Sequence, residues 1–325
     1  GLEDRGGWTN RMMSDMSVKY SYYVSKNFGD RVKHWITHNE PWCISHIGYI
    51  TGHKPPGIKN NWVKSLSAAH HLLLSHGMAI PEIKLNSTNA EVGITLNLST
   101  AIPASPSDED KVATLFYDDM FNRLFLEPLY NTKYPQSLFD ELKIRNAVKD
   151  ADLNFIQEND LAIIGTRTDF LGVNYYSRGV IRSDQIEESQ NLPLDVEMGP
   201  VTDFGWEVYP RGIYDLLFRL KKEYNVERIY ITENGCSYSD TPNHDKKVVD
   251  KRRIEYHYSH LEELRKAIHD GVNCIGYFAW SLMDNFEWAQ GFSQRFGLIW
   301  VDFDTLERIP KESFFWYRDY INKNK

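Results

Sequence analysis

Along this chain, short apolar runs alternate with longer stretches in which apolar positions recur every three or four residues. The short runs are RVKHWITHNE (31–40), AEVGITLNLS (90–99), TDFLGVNYYSR (168–178), ERIYITENG (227–235) and CIGYFAWSLMDNFEW (274–288). β-branched and aromatic residues dominate them, and each reads as a strand. The helical stretches are 12–29, closed by Gly29, then 61–84, 110–130, 210–225 opened by Pro210, 252–271 and 311–323. Strand and helix thus alternate along the whole chain, the pattern of parallel strands joined by crossover helices.

The strands are nearly continuous in apolar character, as strands buried on both faces should be. Polar residues break the pattern at their C-terminal ends: Asn39-Glu40, Asn97, Asn174-Tyr175-Tyr176, Glu233-Asn234 and Asp284-Asn285. In a (β/α)₈ barrel that end carries the active site. A doubly wound sheet usually binds there through a glycine-rich phosphate turn, and neither G-x-G-x-x-G nor a Walker loop is present. The predicted fold is therefore α/β, of the (β/α)₈ TIM-barrel type, in one domain over 1–325. Only five strands are legible where a closed barrel needs eight, so the expectation is strands four to eight with their helices, the first three preceding residue 1. Such a chain would have unpaired edges at its first and last strands, prone to self-association or to complementation by another segment.

Composition narrows the function. A formal net charge of -8 argues against a nucleic-acid binder. No run approaches the length of a membrane-spanning helix. Cys43, Cys236 and Cys274 have no metal-binding spacing and cannot all pair, which favours a reducing, cytoplasmic setting. The eleven histidines form no HExxH or paired-ligand pattern, so neither metal nor other cofactor is expected. His70-His71 reads as structural, and His38 as pointing into the wall behind its strand. Aromatic residues make up 14% of the chain, enough to serve both a core and the apolar faces of sugars.

Two carboxylates carry the chemistry. Glu40 in THNEP and Glu233 in ITENG each follow a β-branched run and precede chain-breaking residues. Either alone reads as a solvated or salt-bridged carboxylate. At one end of a parallel barrel, they converge. Glycosidic bond cleavage requires that arrangement, one carboxyl to protonate the leaving oxygen and one at the anomeric carbon. Their mutual repulsion keeps one of them protonated near neutral pH. Cys43 and Cys236, close to the two glutamates, read as packing residues rather than nucleophiles. Asp284 and Asn285 read as loop organisers, and Phe278 as core.

THNEP and ITENG, together with GGWTNR (6–11), FLGVNYYSR (170–178), GWEVYPRGIYDLL (205–217) and YFAWSLMDNFEWAQGFSQRFGLIWVDF (277–303), strongly resemble glycoside hydrolase family 1, the β-glucosidase family. The resemblance implies a retaining β-glycosidase that removes terminal non-reducing β-D-glucosyl residues, galactosyl and fucosyl being further options, from small β-glucosides or cello-oligosaccharides. It implies Glu40 as general acid/base and Glu233 as nucleophile. Asn39 matches the asparagine that bonds the sugar 2-hydroxyl, Tyr176 the tyrosine that bonds the nucleophile, and Asn174 lies close to the reacting pair. Trp280, Glu287, Trp288 and Phe296 match the far side of the glycone site, and Trp206 the aglycone entrance. Glu287-Trp288 and Phe296 stand where phosphate-binding members carry serine, lysine and tyrosine, which implies an unphosphorylated glycone. The alternative is a catalytically weak barrel fragment that binds sugars or assembles with another chain.

Overall fold

The computed structural model describes residues 1–184 and 195–324. Each short apolar run becomes a strand of one five-stranded parallel sheet: β1 (His34–Asn39), β2 (Glu91–Asn97), β4 (Phe170–Asn174), β6 (Ile229–Asn234) and β7 (Cys274–Ala279), adjacent in that order. Two short pairs lie outside it, β3 (Ala101–Pro103) parallel to β5 (Gly179–Ile181), and β8 (Ile299–Val301) antiparallel to β9 (Arg308–Pro310). Helix α1 (Met12–Phe28) leads in, and α2 (Trp62–Asn86) joins β1 to β2. The helices α3 (Asp108–Asp118), α4 (Leu124–Asn131), α5 (Gln136–Ile144) and α6 (Asp160–Ile164) precede β4. Helices α7 (Arg211–Tyr224) and α8 (Lys251–His269) precede β6 and β7, and α9 (Glu312–Lys323) closes the chain.

The helices form for local reasons and stay for tertiary ones. The Asn61 side chain accepts from the Lys64 N–H to start α2, and Ser107 accepts from Asp110 N–H to start α3. Helix α7 shows the amphipathic logic most plainly, burying Ile213, Leu216, Leu217, Leu220 and Tyr224 along one face. These residues meet Ile94, Leu96, Val173 and Ile231 from the outer face of the sheet in one core. Each such aliphatic side chain contributes roughly 1.5–3 kcal/mol by leaving water. Gly172, on the inner face, is there for space: a Cβ would lie 2.2 Å from Thr95 Oγ1.

Three expectations need correction. The helix anticipated over 110–130 is interrupted by a π-turn at Asp119–Arg123. There Asn122 is clamped to Ser99, accepting from its N–H (3.1 Å) and donating to its carbonyl (2.8 Å), and the wide turn brings that side chain round to the sheet. The last strand ends at Ala279 rather than running to 288. Beyond it the chain pairs with its own return: Ser281 N–H donates to Phe296 O, Leu298 N–H to Ser281 O and Ile299 N–H to Leu282 O. Asp284 and Asn285 therefore belong to a loop, where buried Asp284 accepts from Arg295, Lys311 and the Gly297 N–H. Finally, Phe278 is not core. It is 57% exposed, and Ile36 is 46% exposed. β1 and β7 each have one neighbour in the sheet, so the inner face beside them has no facing strand among the described residues.

Candidate active site

Because the sheet strands are parallel, their C-terminal ends share one side, and the polar residues noted in the sequence gather there. The carboxylates reach it through local irregularities. The register of β1 against β2 shifts between Ile36 and Asn39, and Glu40 follows with φ 51°, in the left-handed region. Its N–H still completes the ladder to Thr95 O (3.0 Å), while its carbonyl already accepts from the Cys43 N–H, opening the helical turn that follows. Left-handed backbone at a glutamate is strained, and strain of this kind clusters at functional positions. A second register shift, between Val173 and Asn174, pairs Asn174 with Glu233. Gly235 then lets the end of β7 come close, since a Cβ there would lie 1.9 Å from Trp280 O.

One hydrogen-bond array joins the two carboxylates. Asn174 Nδ2 donates to Glu40 Oε1 (2.8 Å) and to Asn39 Oδ1 (3.1 Å). Thr232 Oγ1 donates to Asn174 Oδ1 (2.6 Å), fixing the orientation of that amide. Asn39 Nδ2 donates to Glu233 Oε1 at 3.5 Å, and Tyr176 OH to Glu233 Oε2 at 2.7 Å. Asn39 and Asn174 thus stand between Glu40 and Glu233. Tyr176 is held from behind, where Tyr256 OH donates to its carbonyl and accepts from Asn234 Nδ2.

Around this array sit the predicted aromatic positions. The rings of Trp206 and Tyr176 are 4.8 Å apart, and Phe296 lies 6.3 Å from Tyr176. Phe296 is 3% exposed, a support under Tyr176 and Trp206 rather than part of an open wall. Trp280 lies beside Glu287, whose carboxyl is pushed up by burial and eased by the nearby Lys54 cation. Trp288 is 66% exposed with φ 44°, and Lys54 Nζ lies 5.6 Å from its ring centre.

The sequence reading missed four contributors. Phe204 packs 4.2 Å from Trp206, an aromatic i, i+2 pair visible in DFGW. Arg178, the last residue of NYYSR, pairs with buried Glu207 and anchors the segment carrying both rings. Lys54 lies in a loop with no legible signal. Cys43, read as packing, donates to Glu40 Oε2 at 3.1 Å. His38 does point behind the strand, to Ser75 on α2, and His70 is tied to Asp160 and Tyr134. Among the described residues no group of three or more His, Cys, Asp or Glu side chains could hold a metal ion, and no helix is long and apolar enough to cross a membrane.

Burial and the neighbouring Glu40 push the Glu233 carboxyl up to about 7, against the pull of the Tyr176 and Asn39 donors. The repulsion between the two carboxylates disfavours ionising both at once. Because the folded value lies above the ordinary 4.5, the folded chain keeps a proton that the unfolded chain has released between those pH values. The stability this group contributes is complete below pH ~4.5 and lost as pH rises to ~7. Glu233→Gln should accordingly be more stable than wild type at pH 8, by on the order of 1–3 kcal/mol, and equal to it at pH 4. Denaturant midpoints at both pH values check this, and a gap unchanged with pH would contradict it.

Comparison with known proteins gives the family. The model of Glycosyl hydrolase family 1 matches residues 1–325. Beta-glucosidase A of Acetivibrio thermocellus is 41% identical over 325 residues, covering 99% of this chain and 71% of that protein. A bifunctional beta-D-glucosidase/beta-D-fucosidase of Bifidobacterium breve is 38% identical over 332 residues, covering 97% and 70%. Among solved TIM-barrel structures, the beta-glucosidase from Thermotoga maritima in complex with deoxynojirimycin superposes with a TM-score of 0.90 at 38% identity, over 99% of this chain and 71% of that one. With two carboxylates joined at the C-terminal end of a parallel α/β sheet, and with these relatives, the chain belongs to glycosyl hydrolase family 1 and is a β-glycosidase of that family.

Proposed function

We propose that the chain is a retaining β-glucosidase acting on terminal, unphosphorylated glucosyl residues of small β-glucosides or cello-oligosaccharides, with Glu233 as nucleophile and Glu40 as acid/base. The observation that carries this reading is the array linking Glu40, Asn174, Asn39, Glu233 and Tyr176. In the first step Glu40 gives its proton to the glycosidic oxygen while Glu233 attacks the anomeric carbon, and the aglycone leaves as an alcohol. Tyr176 holds one Glu233 oxygen, so the other is presented to the sugar. Esterification removes the charge on Glu233, and Glu40, now a carboxylate, accepts a proton from the water that releases the sugar. Asn39 offers its amide to the 2-hydroxyl, Trp280 a platform, Glu287 an acceptor for glycone hydroxyls, and Trp206 and Trp288 apolar walls. The name of the Bifidobacterium relative supports fucosides as further substrates. Three unpaired cysteines support a cytoplasmic setting.

Proton NMR of early turnover tests the stereochemistry. β-Glucose should be the first-formed anomer, and α-glucose would overturn the reading. In a sugar-bound structure the two carboxyl groups should lie about 5–5.5 Å apart.

The same proposal extends to the sheet, which we read as five strands of an eight-stranded barrel whose remaining strands pair with β1 and β7. Exposed Ile36 and Phe278, on the inner face beside the two edges, support it. Residues 1–325 alone should then self-associate in sedimentation, with weakened glucoside affinity, until strands matching the length difference from the relatives are supplied. A compact monomer with full activity would refute this part and leave the chemistry standing.

A further inference from the structure

The mechanism above leaves one polar contact of Glu40 unused. Its Oε1 accepts from Asn174, and its Oε2 accepts from the Sγ–H of Cys43, one turn along the helical segment that begins after Glu40. Resting on Glu40 as acid/base, the geometry points to Cys43 as a positioning residue, whose thiol holds the second carboxylate oxygen and thereby sets the aim and the acidity of the group that protonates the leaving oxygen.

Several features favour this over mere filling of space. Burial, and then the Glu40 charge, push the Cys43 thiol well above its ordinary value, so it keeps the proton it donates to the carboxylate. The chain geometry fits too. Glu40 has left-handed backbone and lies outside the helical turn, so its carboxylate is not fixed by the intrahelical packing that would fix an ordinary first-turn glutamate. Asn174 constrains one oxygen only, and rotation about the last side-chain bond would carry the proton-bearing oxygen off line. A donor on the other oxygen removes that freedom. Among the described residues, Glu233 from β6, Tyr176 after β4 and Glu287 from a flanking loop also face this carboxylate, and the Lys54 cation acts on Cys43 and Glu287 beside it. Lys54 is the one cation among them, and Cys43 is a direct donor to Glu40 from its own segment.

An S–H donor favours the ionised carboxylate, if weakly. Its removal should weaken Glu40 as a proton donor. In Cys43→Ala, the alkaline limb of the kcat/KM profile should move up by roughly half a unit, with the acid limb unmoved. Hydrolysis of a β-glucoside with a poor leaving group should fall roughly three- to ten-fold, while a dinitrophenyl glucoside, which needs no acid, should be hydrolysed as by wild type. Cys43→Ser restores a donor and should return both readouts toward wild type, and thermal melts of both variants establish that they are folded. Glu40→Ala is measured alongside with the same two substrates. If Glu40→Ala discriminates between them and Cys43→Ala does not, or if the alkaline limb stays in place, the role given to Cys43 is wrong and that of Glu40 survives. If Glu40→Ala itself shows no dependence on the leaving group, both fall together.

Discussion

Glu233→Ala should lose turnover by on the order of 10⁴-fold or more, and azide should restore part of it as the α-glycosyl azide. The argument runs from geometry to stereochemistry. Glu233 ends β6 with one oxygen held by Tyr176 OH at 2.7 Å. If it attacks the anomeric carbon from the α face, deleting its side chain leaves a hole on that face that a small anion fills, and a single displacement gives the inverted product. Glu40→Ala should show the opposite signature. There the glycosyl-enzyme still forms from substrates with good leaving groups, and azide arriving from the β face gives the β-azide. The expected loss for poor leaving groups is about 10²–10⁴-fold, the range for a positioned general acid. The same azide anomer from both variants would overturn the assignment of roles.

The second large effect concerns stability. Arg253 is fully buried beside Asp250, to which its Nε donates at 2.9 Å. Its remaining nitrogens donate to the carbonyls of Cys236, Tyr238, Arg295 and Phe296. The first two lie just beyond ITENG and the last two on the return strand, so one guanidinium fastens the segment after Glu233 to the one carrying Phe296. Asp250 in turn accepts from Ser313 N–H and Oγ at the start of α9. Arg253→Met would leave buried Asp250 with no cation and only its Ser313 donors. It would also take a donor from four carbonyls, of which Cys236 O and Tyr238 O are the ones without the backbone N–H that Arg295 O and Phe296 O keep. Loss of one partner from a buried pair costs about 3–5 kcal/mol, which for a chain of this length lowers the melting temperature by about 4–7 °C. Asp250→Asn should cost less, because Arg253 keeps its four carbonyls. Calorimetry of the two variants checks the ordering, and an Arg253→Met protein melting within a degree of wild type would contradict it.

What the sequence determined by itself was the five strands of the main sheet, the long helices between them, and the placing of two carboxylates at strand ends. Strand and helix patterns are statements about which side chains leave water, and that preference is local enough to read from spacing. Glu40 and Glu233 stood out because a charge at the end of an apolar run needs a reason, and both have the same surroundings in the chain. The tertiary structure decided what local pattern does not encode. The π-turn at Asp119–Arg123 exists because Asn122 must reach Ser99, and the early end of β7 because residues 281–284 pair with 296–299. Phe278 looked like core from its neighbours, but burial depends on whether another strand faces it, and none of the described ones does. In the site, likewise, Cys43 is indistinguishable in sequence from a small packing residue. It becomes a donor to Glu40 only because a left-handed residue turns that carboxylate toward the thiol, and a backbone angle of that kind is set by the packing of the whole sheet rather than by the residue that adopts it.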